Sequence, residues 1–363
     1  MRIRRLELEN FRNYSTAVLT FDGGINVICG KNGAGKTNIL ESVYMLSLST
    51  SPRTTKDKET IKFGEKKARV KMVLEKKFRT HTVILQIEEN SKKKVTVDGI
   101  PVSRAAELIG VLGVVFFSPD EMRLVKETPA ERRRFLDVGL SQQQKSYFIA
   151  LSRYNKVLKQ KNNLLKNPAI GGDADGMLAV WDAQLADYGA VIVQKRKAYI
   201  EKLNREAAEA HLRLSGGKEE LTLSYETPVF GESAEEMKKS LAEKLAASRE
   251  KDKQLGFCSV GPHRDDIAIT VNGLDARKFA SQGQQRTIAL AMKLGETALF
   301  TEESGETPVL LLDDVMSELD ADRQQMLTEL AGGVQTLVTC TEFSFPGRVD
   351  KVIRIADGKV EEE

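Results

Sequence analysis

Gly30, Gly33, Gly35, Lys36 and Thr37 lie in the stretch NVICGKNGAGKTNILE, residues 26–41, at the G-x-x-x-x-G-K-[ST] spacing that can hold a triphosphate. Each residue type has its own reason to be there. The glycines let the backbone take left-handed angles, so successive N–H groups turn inward around an anion at the start of a helix. Lys36 is long enough to reach the β- and γ-phosphates, and Thr37 offers a hydroxyl to Mg²⁺. A Gly-rich turn before a helix is the plainer account. It is disfavoured by the flanks, since Val27, Ile28 and Cys29 suit a buried strand and residues 37–41 open a helix.

A second constellation comes late in the chain. Val309, Leu310, Leu311 and Leu312 form a wholly apolar run that ends in Asp313 and Asp314. Adjacent carboxylates at a buried strand end are costly unless they hold a metal or a proton. Asp313 is placed to hold Mg²⁺ through water, and Asp314 to polarise an attacking water. Ser281, Gly283 and Gln284 stand directly ahead of a helical pattern through Ile288, Met292 and Leu299. Ser281 and Gln284 have the spacing of a capping box, while a Ser and a Gly at a helix N-terminus also make a second anion site. Asp320 closes the segment Ser317, Glu318, Leu319, Asp320.

These residues need a large α/β scaffold, and the composition permits one. The 363 residues are 41% hydrophobic and 29% charged, which describes an ordinary soluble protein of one large head with an insertion, or of two domains. The formal net charge of +3 is uninformative by itself. Cys29, Cys258 and Cys340 sit far apart among apolar residues and read as reduced core residues of a cytoplasmic protein, with no zinc site implied. His81, His211 and His263 are likewise scattered. Arg2, Arg4 and Arg5 are followed by Glu7 and Glu9, so no signal peptide is expected, and no run approaches membrane-spanning length.

The pattern along the chain supplies the elements. Ile3, Leu6 and Leu8 begin a strand; a second strand and the turn at Asp22, Gly23 and Gly24 lead into the phosphate loop. Residues 68–102 alternate with period two, as an antiparallel meander does, with a turn at Asp98 and Gly99. Residues 53–94 carry fourteen Lys and Arg against six Asp and Glu; the plainer account is a solvated sheet edge protected by lysines. Residues 111–117 read as a buried strand. From Glu131 a helical section follows, with breaks at Asn167 and Pro168, at Gly171 and Gly172, and at Gly216 and Gly217, giving two long helices and a shorter one. Residues 131–213 hold fifteen basic against nine acidic residues, either the ordinary exterior of exposed helices or a phosphate-contacting surface. Hairpins are expected at Asn272 and Gly273 and at Asp357 and Gly358, and a further strand at residues 336–340.

Taken in order, phosphate loop, helical insertion, Ser-Gln-Gly-Gln-Gln, apolar strand with Asp-Asp, and Ser-Glu-Leu-Asp, the chain resembles the ABC-type ATPase head of the SMC/Rad50/RecF class. Asn10 to Tyr14 as Asn-Phe-Arg-Asn-Tyr, Arg53 and Thr54 with Asp57, Phe117-Ser118-Pro119, Arg132 and Arg133 with Phe135, Leu136 and Asp137, and Gly-Pro-His-Arg-Asp-Asp at 261–266 are similar to the RecF family of bacterial recombination mediators over nearly the whole chain.

The resemblance implies an α/β ABC-type P-loop ATPase head, a mixed sheet with flanking helices and an antiparallel β subdomain, with a helical insertion arm. Its segments would be an N-terminal head part at 1–125, the arm at 126–254 and a C-terminal head part at 255–363. It implies a DNA replication and repair protein that binds ATP and Mg²⁺, dimerises on ATP, and binds double- and single-stranded DNA without regard to sequence. With RecO and RecR it would act at single-strand gaps and duplex junctions, helping RecA replace single-strand-binding protein. Carried onto these positions, Gly30, Lys31, Asn32, Gly33, Ala34, Gly35, Lys36 and Thr37 bind the triphosphate, Thr37 and Asp313 serve Mg²⁺, and Lys36 and Asp314 are catalytic. Ser281 and Gly283, with Gln284 beside them, approach the γ-phosphate from the partner subunit, and Asp320 belongs to the loop crossing that interface.

Departures from transporter-type relatives are Asp314 where Glu is usual, no His near Thr339, and no Gln after residues 111–117, so slow, DNA-timed hydrolysis is expected. A transporter subunit would need a membrane partner. An SMC or Rad50 protein would need a far longer coiled coil than this interrupted insertion. A nuclease would need a second acidic cluster after the head, and no site for cutting DNA is expected.

Overall fold

The computed structural model describes residues 1–103, 105–167, 173–342, 347–356 and 358–362. In chain order the elements are β1 (Arg2–Phe11), β2 (Tyr14–Thr20), β3 (Ile25–Cys29), α1 (Lys36–Leu48), β4 (Lys67–Glu75), β5 (Thr80–Glu88), β6 (Lys94–Val97), β7 (Ile100–Pro101), β8 (Val114–Phe117), α2 (Arg123–Lys126), α3 (Pro129–Gln143), α4 (Lys145–Lys166), α5 (Ala174–Leu214), β9 (Leu221–Glu226), α6 (Ala234–Leu255), β10 (Asp266–Val271), β11 (Leu274–Asp275), α7 (Ala276–Phe279), α8 (Gln282–Ser304), β12 (Val309–Leu312), α9 (Ala321–Leu330), β13 (Thr336–Cys340), β14 (Lys351–Ala356) and β15 (Lys359–Glu362). They divide into one unit of Met1–Met122, Glu206–Glu219 and Arg286–Glu363, and another of Arg123–Arg205 and Glu220–Gln285. No helix of the described residues is long and apolar enough to cross a membrane.

Two six-stranded sheets build the first unit. One is the expected meander, ordered β2-β1-β4-β5-β6-β7, and the other is ordered β15-β14-β3-β13-β12-β8. In the second, β14, β3, β13, β12 and β8 run parallel, and β15 closes the edge antiparallel. Parallel strands are covered on both faces, which explains why β3, β12 and β13 are apolar runs, whereas β4 alternates buried and half-buried residues. A bulge between Ile3 and Arg5 shifts the register of β1 by one, so that Ile3, Leu6 and Leu8 all face the core despite their odd spacing. Helix α1 shares one core with residues of both sheets; Ile39, Leu40, Val43, Tyr44, Met45 and Leu46 are all buried in it. Gln335 is also buried; its amide exchanges hydrogen bonds with the Ile3 backbone (2.6 and 2.8 Å) and donates to the Asp22 carbonyl, fixing β1 against the start of β13.

Three expectations are modified. The strand expected over 111–117 begins only at Val114, because the Leu112 carbonyl accepts from the Ser47 hydroxyl (2.8 Å) and Val111 N–H bonds back to Leu108 in a turn. The helical section is divided once more than expected, at Gln144 (φ −128°, ψ 103°), between α3 and α4. The segment 255–363 divides too: β10 and β11 fall in the second unit because β10 pairs with β9, and Arg286 onward in the first. Asp98 and Gly99, and Asn272 and Gly273, have the paired left-handed angles of tight hairpins. The break at 168–172 and Asp357 of the last hairpin lie outside the described residues, although β14 and β15 pair antiparallel around it.

The second unit is held by buried ion pairs as well as apolar contacts. The Lys161 ammonium, fully enclosed, meets Asp182 (2.8 Å) and Asp252 (3.1 Å), and Arg249 also reaches Asp182. Arg196, almost completely buried, donates to Tyr147 Oη, the Pro262 carbonyl and Asp137. Removing one partner of such a set leaves an uncompensated charge and costs roughly 3–5 kcal/mol.

His263 bridges Tyr154 Oη (2.6 Å) and the Cys258 carbonyl (3.0 Å). Burial is the main cause that holds its imidazole at about 4 instead of 6.5. An unfolded chain protonates this ring near pH 6.5 and the folded one only near pH 4, so stability is lost as pH falls through that window. Urea midpoints are expected to show a loss of about 2 kcal/mol between pH 7.5 and pH 5, flattened in His263→Gln. An unchanged pH slope in the variant would show that other groups carry the effect.

Candidate nucleotide-binding site

The phosphate loop connects β3 to α1, and its shape is imposed by close neighbours. A Cβ on Gly30 would stand 2.2 Å from the Ile355 carbonyl oxygen, and one on Gly35 (φ 113°) would stand 2.5 Å from the Asn13 amide. A side chain at Gly30 would collide with backbone, and one at Gly35 would displace the Asn13 and Tyr14 side chains and strain a left-handed φ. Lys36 Nζ donates to the Gly30 (2.6 Å) and Lys31 (3.0 Å) carbonyls, which holds the ammonium against the loop. Lys31, Asn32 and Gly33 form the exposed crest, while Ala34, Gly35 and Lys36 are buried.

The segment from Asn10 to Tyr14 braces this loop. Asn13 Nδ2 donates to the Ala34 carbonyl (2.8 Å), its Oδ1 accepts from Asn38, and Tyr14 Oη donates to the Gly35 carbonyl (3.1 Å). Arg12 makes a two-pronged pair with Glu41 (2.6 and 2.8 Å) and also donates to the Glu59 carbonyl. Glu41 is enclosed within α1 and additionally accepts from Ser51, while Arg53 donates to Asn38 and lies 3.7 Å from Glu41. Thus one buried carboxylate ties the β1–β2 turn, α1 and the basic loop together. Glu41 is the single acid of α1, and that was the sequence signal for it.

The two acids at the end of β12 are arranged differently from each other. Asp313 Oδ1 accepts from Thr37 Oγ1 (2.8 Å) and Thr339 Oγ1 (2.7 Å). Desolvation is the first cause that raises the Asp313 carboxyl above its usual range, with those two hydroxyls opposing it and Asp314 adding to it. A cation beside Thr37 would relieve that cost. Asp314 has a left-handed φ of 51°, its N–H donates to Thr339 Oγ1 (2.8 Å), and its carboxylate accepts from Ser317 Oγ (3.1 Å). Asp tolerates that backbone region better than most residues. Thr339, not singled out as a site residue from sequence, therefore orients both acids from the neighbouring strand β13.

Ser118 was also missed. Asp313 N–H donates to the Phe117 carbonyl (2.9 Å), extending the pairing of Leu312 with Phe117 by one step, so Ser118 stands beside Asp313 on the same face. A short hydroxyl thus occupies the place where a metal-sensing Gln was sought.

The structure brings Lys36, Thr37, Asp313 and Asp314 together. Ser281 and Gln284 belong to the second unit and form the expected capping box: Ser281 N–H donates to Gln284 Oε1 (2.8 Å), and Gln284 N–H to Ser281 Oγ (3.3 Å). Asp320 caps α9, accepting from Arg323 N–H (2.9 Å) and pairing with its guanidinium (3.1 Å).

A glycine loop between a parallel strand and a buried helix, facing an Asp-Asp pair two strands away beside an antiparallel meander, defines an ABC-type P-loop ATPase head. Residues 2–362 match the family model described as the RecF/RecN/SMC N terminal domain. The chain belongs to the RecF family. It is 42% identical over 365 residues to the DNA replication and repair protein RecF of Agathobacter rectalis, covering 99% of each chain. It is similar to a solved structure of the recombination mediator protein RecF-ATP in the RecFOR pathway, at 35% identity and TM-score 0.92, covering 99% of this chain and 97% of that one. Likeness to an SMC head bound to the C-winged helix domain of ScpA, at 16% identity and TM-score 0.60 over 99% and 96% of the chains, concerns the fold.

Proposed function

We propose that this chain is an ATP-driven dimerisation switch of DNA replication and recombinational repair, working with RecR and RecO at single-strand gaps and duplex junctions. The observation that carries the reading is the convergence of Thr37, Asp313 and Thr339 beside the phosphate loop, with Asp314 aimed by the same threonine. Gly30 to Thr37 bind the triphosphate. Thr37 and Asp313 fit Mg²⁺, which would neutralise phosphate charge when bound. Lys36 balances the β- and γ-phosphates, and Asp314 orients and polarises the attacking water.

What one copy lacks is a second set of donors on the far side of the γ-phosphate. Ser281, Gly283 and Gln284 open α8, a helix of 23 residues whose first-turn N–H groups and positive end suit an anion. A second copy offering them makes ATP the shared ligand of a two-fold dimer, with Asp320 at the interface. Hydrolysis then removes the bond between subunits. The weak, DNA-timed ATPase, the absence of nuclease chemistry and the cytoplasmic setting belong to the same reading. So does a division of labour between an ATPase head and a helical arm.

Lys66, Lys67, Lys92 and Lys94 are exposed at one end of the meander, near the wholly exposed Phe63, a pairing of cations and aromatic that suits single strands as well as duplex phosphates. The test is light scattering with and without ATP and a gapped DNA, followed by salt titration. ATP should produce dimers, DNA affinity should fall steeply with salt and ignore sequence, and replacing Lys66, Lys67 and Lys92 by Glu should lower the log–log salt slope by about 1 per lysine. A salt-insensitive affinity would remove phosphate contact from the account.

A further inference from the structure

In the second unit the three-stranded sheet is ordered β11-β10-β9, which leaves β9 at an edge. Its sequence, LTLSYE, has neither the proline nor the lysine that usually blunts such an edge. Asn272 N–H donates to the Glu220 carbonyl (2.9 Å), one step beyond β9. With Thr270 opposite Thr222 and Ala268 opposite Ser224, the even-numbered residues of β9 bond to β10. Leu221, Leu223 and Tyr225 therefore turn their backbone groups to the free side. Leu223 N–H does so visibly, donating to Asn204 Oδ1 on α5 at 2.6 Å. The Leu223 carbonyl and the Tyr225 N–H and carbonyl have no backbone partner among the described residues.

A cavity of about 480 Å³ adjoins these groups, lined by Lys197, Ile200 and Glu201 of α5, by Tyr225, and by Val229 and Phe230 of the following loop. Phe230 is 70% exposed, and the Lys244 ammonium lies over its ring at 5.0 Å. Lys197 is exposed and in no ion pair among the described residues, whereas Glu201 follows it by one helical turn.

We propose that the free edge of β9 and this cavity form a docking site for an extended, singly acidic peptide segment of a partner protein. The segment adds to the sheet as a further strand. One apolar side chain enters beside Ile200, Val229 and Phe230, and a carboxylate two residues along the strand meets Lys197. Main-chain bonds to the Tyr225 N–H and carbonyl and to the Leu223 carbonyl give affinity, and alternate side chains give specificity. Glu201 repels a second acid and equally disfavours a nucleic-acid strand on Phe230.

Fluorescence anisotropy with the full chain and the C-terminally amidated peptide Thr-Phe-Thr-Asp-Thr-Val, carrying zwitterionic tetramethylrhodamine on its N-terminus, tests this. Saturable binding is expected, weakened about tenfold or more when alternate peptide amides are N-methylated, when the peptide Asp is exchanged for Lys, or in Lys197→Glu and Phe230→Ala. The Lys-bearing peptide should recover affinity on Lys197→Glu, an outcome misfolding cannot produce. Absence of saturation at millimolar peptide, indifference to N-methylation, or displacement of the peptide by oligo-dT would overturn the proposal. None of these readouts involves nucleotide, so the site stands or falls apart from the ATP switch.

Discussion

Ser281→Arg is expected to bind ATP as a monomer within about twofold of the unchanged protein and to lose nucleotide-dependent dimerisation by at least 100-fold, since one well-made charge-assisted contact and one steric block each exceed about 1.5 kcal/mol. Ser281 is exposed at the start of α8 and is assigned to a different compact unit from the phosphate loop. Its local duty is the cap it makes with Gln284. Losing that cap costs about 1 kcal/mol, a small part of a domain's stability. The arginine brings bulk to a surface that must approach a triphosphate closely in the proposed dimer, and its side chain would cover the N–H groups of the first turn. Ser281→Ala removes the cap alone and should dimerise with only modest loss. Light scattering of both variants with a non-hydrolysable nucleotide separates the two effects. Nucleotide-driven dimers of Ser281→Arg at wild-type concentrations would contradict the shared-ligand geometry.

How far the sequence went depended on how local each signal was. The phosphate loop, the capping box at Ser281 and the turns at Asp98 and Asn272 are short-range patterns, and their chemistry is written within a few residues. The pair formed by Thr37 and Asp313 spans 276 positions and was reached only through the order of motifs. Thr339 was invisible for a different reason. Its role comes from β13 lying beside β12 in parallel register, and a threonine in an apolar strand has the composition of any strand. Ser118 depends in the same way on the register of β8 with β12. The bulge after Ile3 was hidden because its effect, returning Leu6 and Leu8 to the core side, appears in sequence only as imperfect alternation. In the second unit, Lys161 and Arg196 look like ordinary surface charges of amphipathic helices; only packing encloses them against Asp182, Asp252 and Asp137.

Asp314→Asn should slow ATP turnover by roughly 10²- to 10³-fold while leaving nucleotide-induced dimers longer-lived. The substitution isolates one property. Asparagine accepts the left-handed backbone at this position, where φ is 51°, so the turn after β12 is retained. The bond from the residue's N–H to Thr339 is a main-chain bond and survives, and the amide oxygen can still accept from Ser317 Oγ. Only the negative charge and its basicity go, and these are what the proposed role of polarising a water at the γ-phosphate requires. Asp313→Asn makes the contrasting case. That residue accepts two hydroxyl donors, from Thr37 and Thr339, and its loss should weaken Mg²⁺-dependent nucleotide affinity before any effect on the chemical step. Phosphate release measured beside dimer lifetime distinguishes the two acids. If Asp314→Asn turns ATP over at the unchanged rate, the water is oriented by another group, and Ser118, one strand over, is the next residue to change.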